Sequence, residues 1–312
     1  MIRVYKIVAL LVFPSIFISC NKSDSSSYDV RDRQEVYNED ILDIEEYLQT
    51  HYMTVDGDMN TTIDTILPTT TETSIWNQTT YPLQSITVKN DTRTTTLTDG
   101  RIDDDVDYKL YYIVLNEGGG SFPKSIDSTL VGYKGWNISK NDIFDQNDFG
   151  VWFSFPESSV STVSGFRQIL SKVKTEASHT ENMDGSINRV NYGNVIVFIP
   201  SGLGYFATSR INIPQYESLA FQIKLYDLKE RDHDKDRVVS KYEDLNDNND
   251  YFDDDSDGDK YPDFLDVDDD ADGKLTKTEL TISTGVYYDF LTIPTCGPGG
   301  NGKKKHLDPF CH

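Results

Sequence analysis

The chain has 312 residues, a formal net charge of −23 and 37% hydrophobic residues. That length suits about two domains, and the apolar fraction is enough for a core in part of the chain but lean for all of it. So acidic a chain would be repelled by a polyanion, which argues against nucleic acid as a partner and suits cation binding or simple solvation.

The N-terminus reads as a targeting segment. Arg3 and Lys6 form a basic start, and Ile7–Ile18 is apolar apart from Pro14 and Ser15. That run is too short to span a bilayer, which takes ~20 residues. It ends Phe17-Ile18-Ser19-Cys20, with the small residue before a cysteine that lipoprotein processing requires. Residues 1–19 are therefore expected to be a lipoprotein signal peptide, with lipid on the sulfur and new amine of Cys20; an ordinary signal peptide with a coincidental cysteine is the alternative. The polar run Asn21–Ser27 follows as a tether, taken as 20–36. The expectation is a bacterial lipoprotein anchored to a membrane outside the cytoplasm, facing the periplasm or the cell exterior. Two or three acyl chains would hold it where one would not.

Tyr37–Tyr52 places Ile41, Ile44, Leu48 and Tyr47 at helical spacing with acids between them, which predicts one amphipathic helix docking on the next domain. Asp56–Gly100 is rich in Thr, which favours strands and turns over helix. Short β pairs or a loosely ordered extension are both compatible with it, and 37–107 is grouped as one region.

Residues 108–230 carry the densest strand-like sequence. Strands are predicted at Tyr111–Leu115, Ser128–Tyr133, Val151–Phe155, Val195–Ile199 and Leu219–Leu225. Ser164–Val173 bears Phe166, Ile169, Leu170 and Val173 on one face, a short helix. The fold class is α+β: a small antiparallel twisted sheet with one short helix packed on it, preceded by the N-terminal helix and followed by an acidic tail.

Short motifs in this region follow one another in a familiar order. Thr129-Leu130-Val131-Gly132-Tyr133-Lys134-Gly135 precedes Ile143-Phe144-Asp145, then Phe153-x-Phe155 and Val163-Ser164-Gly165-Phe166. Pro200 to Tyr205, Ile213-Pro214 and Leu219-x-Phe221 close the series. Together, with Gly119–Lys124 ahead of them, they resemble the FKBP-type peptidyl-prolyl cis-trans isomerases from Lys109 to Glu230. The resemblance implies a pocket tyrosine at Tyr133. It implies a cup of Phe144, Phe153, Phe166 and Phe221 flanked by Val163 and Ile213. Tyr205 would donate to the substrate carbonyl, and Asp145 would polarise the site or hold Tyr133. The sequence departs from the family pattern at Gly132, at Phe166 in place of the commoner Trp, and at Phe206, where the family has Gly after the tyrosine. Lys174–Gly193 is an insertion, and no Arg stands in the loop after Asp145.

Such a site needs no cofactor. Rotation about an X-Pro bond faces an amide-resonance barrier of ~18–20 kcal/mol, and uncatalysed it takes tens to hundreds of seconds. A dry aromatic cup favours the twisted, less polar amide, and a few polar groups fix its orientation.

Arg231–Glu279 holds 19 Asp and Glu against 7 Lys and Arg, so it contributes −12 of the chain's charge. Asp268, Asp270 and Asp272, then Gly273, Lys274 with its carbonyl, Thr276 and Glu279 fit a twelve-position Ca²⁺ loop throughout. Asp253, Asp255 and Asp257, followed by Gly258, repeat the start, but Phe264 stands where the closing Glu belongs. Asp232, Asp234 and Asp236 with Glu243 make a third, poorer copy in which Arg237 occupies the glycine place. The spacing resembles thrombospondin type 3 and EF-hand-like calcium repeats, arranged as stacked loops because Tyr261-Pro262 does not suit paired EF-hand helices. The repeats are taken as 231–280, with structural Ca²⁺ as their ligand and a solvated acidic linker as the alternative. In the final stretch, 281–312, Cys296 and Cys311 are either a disulfide, which an oxidising compartment would permit, or two free thiols.

The function expected from this reading is a lipid-anchored peptidyl-prolyl isomerase acting on proline-containing polypeptide clients during folding of exported proteins. The alternative is a non-catalytic FKBP-like binding, chaperone or adhesive surface lipoprotein with structural calcium repeats.

Overall fold

The computed structural model describes residues 30–91, 104–156 and 162–311. The signal peptide, Cys20 and most of the tether lie outside the described residues. Among the described residues no helix is long and apolar enough to cross a membrane.

Helix α1 spans Arg33–Thr50 and so starts earlier than the expected Tyr37. The reason is local: the Asp32 carboxylate accepts from the Glu35 N–H at 2.9 Å, an N-cap that fixes the first turn. Val36, Asp40, Ile44, Tyr47 and Leu48 form its buried face. The Thr-rich stretch gives a hairpin of β1 (His51–Val55) and β2 (Thr61–Thr65), followed by β3 (Gln84–Val88).

Next come β4 (Tyr108–Asn116), β5 (Ser128–Asn137), β6 (Ile143–Phe153) and the short helix α2 (Ser164–Ile169), which ends in a 3-10 turn at Leu170–Lys172. The insertion folds as a second hairpin, β7 (Ser178–Glu181) with β8 (Ile187–Val190). Strands β9 (Gly193–Ile199) and β10 (Leu219–Lys229) complete a six-stranded antiparallel sheet ordered β3-β4-β9-β10-β5-β6. The domain is thus a mixed fold of mostly antiparallel sheet with few helices.

Both faces of this sheet are covered. On one face, Val195, Val197, Ile199, Phe221 and Ile223 meet Phe166 and Ile169 of α2. On the other, Ile196, Phe198 and Ala220 meet Ile44, Tyr47 and Leu48 of α1 and Ile63 of the hairpin. This explains why Val195–Ile199 is apolar without alternation: every residue of β9 is buried, as in strands covered on two sides.

The acidic tail has little regular structure: one α-helical turn, α3 (Thr276–Glu279), four short 3-10 turns, and a two-stranded pair, β11 (Thr281–Ser283) with β12 (Val286–Tyr287). Alternating acids pack no core of their own, but aromatic residues between them do. Tyr251, Phe252 and Phe264 pack on Ile126 and Phe155 of the sheet domain. Val238, Leu280 and Ile293 form a second small core with Tyr242 and Phe290. Cys296 and Cys311 are free thiols.

Candidate functional site

The aromatic residues expected to form a cup do converge. Phe166, at the start of α2, lies 5.1 Å from Phe221 of β10, 5.7 Å from Phe153 of β6 and 5.9 Å from Tyr133 of β5, each ring edge-on. Phe144 of β6 stands edge-on to Phe221 at 5.5 Å. Such pairs contribute ~0.5–1.5 kcal/mol each beyond burial, so the cluster is mutually bracing. Phe166 and Phe221 are buried, whereas Tyr133, Phe144, Phe153 and Tyr205 are partly open. Val163, the residue ahead of α2, and Ile213 are buried against the same cluster. The result is a cluster of rings whose inner members are buried and whose outer members are partly open.

Two hydroxyls sit at that rim. The Tyr133 hydroxyl donates to the Asp145 carboxylate at 2.7 Å, the holding role considered for Asp145. Burial first, then the hydrogen bond to Asp145 and its charge, pushes the Tyr133 phenol above its usual range. Burial likewise raises Tyr205, with Arg210 opposing it; the Arg210 guanidinium lies 5.3 Å from the Tyr205 ring centre. Tyr205 therefore stays protonated at neutral pH as a donor, and its hydroxyl has no hydrogen-bond partner among the described residues.

One cup residue escaped the sequence reading as a determinant. A Cβ on Gly135 would come within 2.6 Å of Phe221 and 2.7 Å of Phe144, so the two rings rest on bare backbone of β5. The available signal was a glycine inside a strand, which marks close approach.

The loop that carries Tyr205 is held by α1. The Asp40 carboxylate accepts from both the N–H and the hydroxyl of Ser201, at 2.8 and 2.7 Å. Phe206, in the place of the family's glycine, takes φ +48°, the left-handed conformation that glycine favours. Its ring packs edge-on to Tyr216 at 5.2 Å and under the Arg33 guanidinium at 4.2 Å. Phe206 thus holds a conformation that a glycine could take without strain.

In the tail, Asp268, Asp270 and Asp272 present oxygens within 4.8 Å of one another. Glu279 is buried, both its carboxylate oxygens lack a partner, and burial followed by Asp270 and Asp272 pushes it up to about 7. Gly273 takes φ +88°, and the Lys274 N–H donates to Asp272 at 2.7 Å. The residues present fit a hard cation: all donors are oxygens, arranged in one loop.

The other two expected loops are assembled differently from the sequence reading. In the middle loop Asp255 and Asp257 group with Asp259. Asp253 is turned away, accepting from Asn246 and Asn248 at 3.2 and 2.8 Å. In the first loop Asp234 and Asp236 group with Glu243 and with Asp269, which belongs to the third loop; Asp232 stands outside that group. Arg237 takes φ +90°, matching Gly258 at +82° and Gly273 at +88°, so all three loops turn alike. Asp269 gave no signal in sequence, because it falls between the alternating ligand positions.

A family model described as BamM C-terminal matches residues 233–302, which takes in all of the second and third acidic loops and the first from its second residue on. No curated protein matches the chain. Among solved structures, FkpA from Escherichia coli is similar at 25% identity, with 38% of this chain and 48% of that chain covered and a TM-score of 0.30. The present chain thus spans about half the length of FkpA. A peptidyl-prolyl cis-trans isomerase from Pseudomonas syringae pv. tomato matches at 23% identity over 44% of this chain and 80% of that one, with a TM-score of 0.31. The N-terminal domain of FKBP42 from Arabidopsis thaliana matches at 13% identity over 39% and 87%, also with a TM-score of 0.31.

Proposed function

We propose that the protein is a peptidyl-prolyl cis-trans isomerase acting on proline-containing polypeptides outside the cytoplasm, tethered to a membrane through Cys20 and braced by calcium in its tail. The observation that carries the reading is the rim of the aromatic cup: five rings, with one hydroxyl fixed to Asp145 and the other, on Tyr205, unpartnered. A prolyl ring would enter among Tyr133, Phe144, Phe153, Phe166 and Phe221. The twisted amide is less polar than the planar one, so a dry cup favours it over the ground state. Tyr205 would hold the substrate carbonyl while the bond turns. Each ~1.4 kcal/mol removed from the barrier gives about tenfold in rate, and no nucleophile or proton relay is required. Ile211, in the loop between Tyr205 and Ile213, is exposed and offers apolar contact to a client chain.

Calcium in the loop Asp268–Glu279, with Asp255, Asp257 and Asp259 as a further set, would be structural. Extracellular modules of this kind bind at ~10⁻⁴–10⁻³ M, a range suited to bracing.

The test is the isomerisation rate of a proline peptide with the full chain, with Tyr205→Phe and with Phe144→Ala. Acceleration by the wild type is expected, reduced about tenfold or more in each variant. No acceleration by folded wild type would sink the catalytic reading. Peptide binding retained without acceleration would establish a non-catalytic client-binding module instead.

A further inference from the structure

The first and third acidic loops meet at a point that neither loop forms alone. Asp234, Asp236 and Glu243 come from the chain that follows β10, and Asp269 comes from beyond the middle loop. One oxygen from each lies within 4.8 Å of all the others. Oxygens that share one Ca²⁺ at ~2.4 Å lie at most ~4.8 Å apart, so this spacing is compatible with a common ion.

The group is buried to an unusual degree. Asp236, Glu243 and Asp269 are 2, 3 and 2% exposed. Both oxygens of Glu243 and both of Asp269 have no hydrogen-bond partner, and neither has Oδ2 of Asp234 or of Asp236. The remaining oxygens of Asp234 and Asp236 are engaged, accepting from the N–H groups of Asp236 at 3.2 Å and Val238 at 2.7 Å. Among the described residues no Lys or Arg pairs with any of the four. Buried polar atoms are nearly always partnered, and a buried carboxylate facing others is costly unless a cation compensates it. Six unpartnered oxygens on four clustered carboxylates raise that requirement together.

We infer that Asp234, Asp236, Glu243 and Asp269 form a further, buried Ca²⁺ site that clips the first acidic loop to the third. The inference stands apart from the isomerase reading. Oxygen-only donors exclude a preference for soft or imidazole-seeking metals. Mg²⁺ keeps several waters and is seldom held in an all-protein cage, whereas Ca²⁺ takes 6–8 oxygens and accepts bidentate carboxylates. A clip of this kind closes the intervening chain and so stabilises the native state against the longer, unconstrained loop of the unfolded one. It also reaches the sheet domain. His233, beside Asp234, lies 3.2 Å from the Phe155 carbonyl oxygen through Nε2 and stands edge-on to Phe264 at 5.3 Å. Arg167 of α2 stacks over the Phe155 ring at 3.7 Å. The cation therefore secures the tail to the back of the helix that supplies Phe166.

The experiment is Ca²⁺ titration of the full chain, previously treated with chelator, by calorimetry, alongside thermal melts with and without Ca²⁺. Glu243→Gln and Asp269→Asn are each expected to bind one Ca²⁺ fewer than wild type, and Glu279→Gln to lose a different one, so that Glu243→Gln with Glu279→Gln loses two. Because neutralisation relieves repulsion in the buried group, Glu243→Gln should melt higher than wild type without Ca²⁺ while gaining less on its addition. Unchanged stoichiometry, with affinity within twofold of wild type, would overturn the site. Trypsin supplies a check needing no variant. Lys235, Arg237 and Lys241 of the first loop should be cut faster, by tenfold or more, once Ca²⁺ is chelated. Equal cutting of that loop in wild type with and without Ca²⁺ would overturn the clip.

Discussion

Replacing Phe206 sets two opposed energies against each other. The residue holds φ +48° because its N–H donates to the Ser201 carbonyl at 2.9 Å and its own carbonyl accepts from the Tyr216 N–H at 2.7 Å. A left-handed non-glycine residue costs ~1–2 kcal/mol, which Phe206→Gly would release. The same change removes a ring that is 8% exposed and packed between Tyr216 and Arg33. Deleting a buried Phe side chain costs ~3–5 kcal/mol, and glycine adds ~0.5–1 kcal/mol of unfolded-state entropy. The ring wins, so Phe206→Gly should lose about 2–4 kcal/mol. Phe206→Ala loses the ring and keeps the strain, and should fall about 1 kcal/mol below Phe206→Gly, although alanine is the better residue elsewhere. Urea unfolding at constant m reads both differences as shifts in midpoint. Phe206→Ala equal to or more stable than Phe206→Gly would refute left-handed strain at this position. Phe206→Gly at wild-type stability would refute the ring's role. Because Tyr205 is the neighbouring residue, the isomerase activity proposed above should fall with either variant.

Three further outcomes follow from individual contacts. Burial pushes the Asp40 carboxyl up to about 6, with its bonds from Ser201 opposing the shift. A folded pKa above the unfolded value near 4 means that the native state holds the proton more tightly; this contribution is full below about pH 4 and is lost as pH rises through about 6, at up to ~1.4 kcal/mol per unit. Asp40→Asn should therefore gain on wild type across that window in urea midpoints, and identical pH profiles would refute it. Gly135→Ala should displace Phe144 and Phe221, costing ~1–3 kcal/mol by overpacking and lowering kcat/KM of the proposed isomerase reaction; a wild-type melt with wild-type turnover would show that the rings do not rest on that backbone. Tyr133→Phe removes the bond to Asp145 and should cost about 1 kcal/mol, with a several-fold loss in kcat/KM at unchanged Tyr205; turnover equal to wild type would remove Tyr133 from the site.

Much of the cup was legible because its rings sit on strands and on a helix whose periodicity is written in the chain. Phe166 follows the start of a short amphipathic run, Phe153 and Phe221 fall on strand faces, and Tyr205 lies in a loop that Pro200 opens. The third acidic loop was legible for a similar reason, since its alternating oxygens and turn glycine are local. Gly135, Asp40 and Asp269 were not, because each acts on a partner distant in sequence: two rings, a loop and another acidic loop.

The sequence by itself determined the local pieces: strands β4, β5, β9 and β10, the helix α2, the turns at Gly258 and Gly273, and the acid spacing, all of which depend on neighbours within a few residues; β6, expected at Val151–Phe155, runs instead over Ile143–Phe153. Only the tertiary structure decided what covers each face of the sheet. It placed α1 on the Ser201 loop, seated Tyr251, Phe252 and Phe264 on the sheet domain, turned Asp253 away and brought Asp269 to Glu243. Those outcomes depend on burying apolar surface and matching charge between segments far apart along the chain, and no local spacing carries that information.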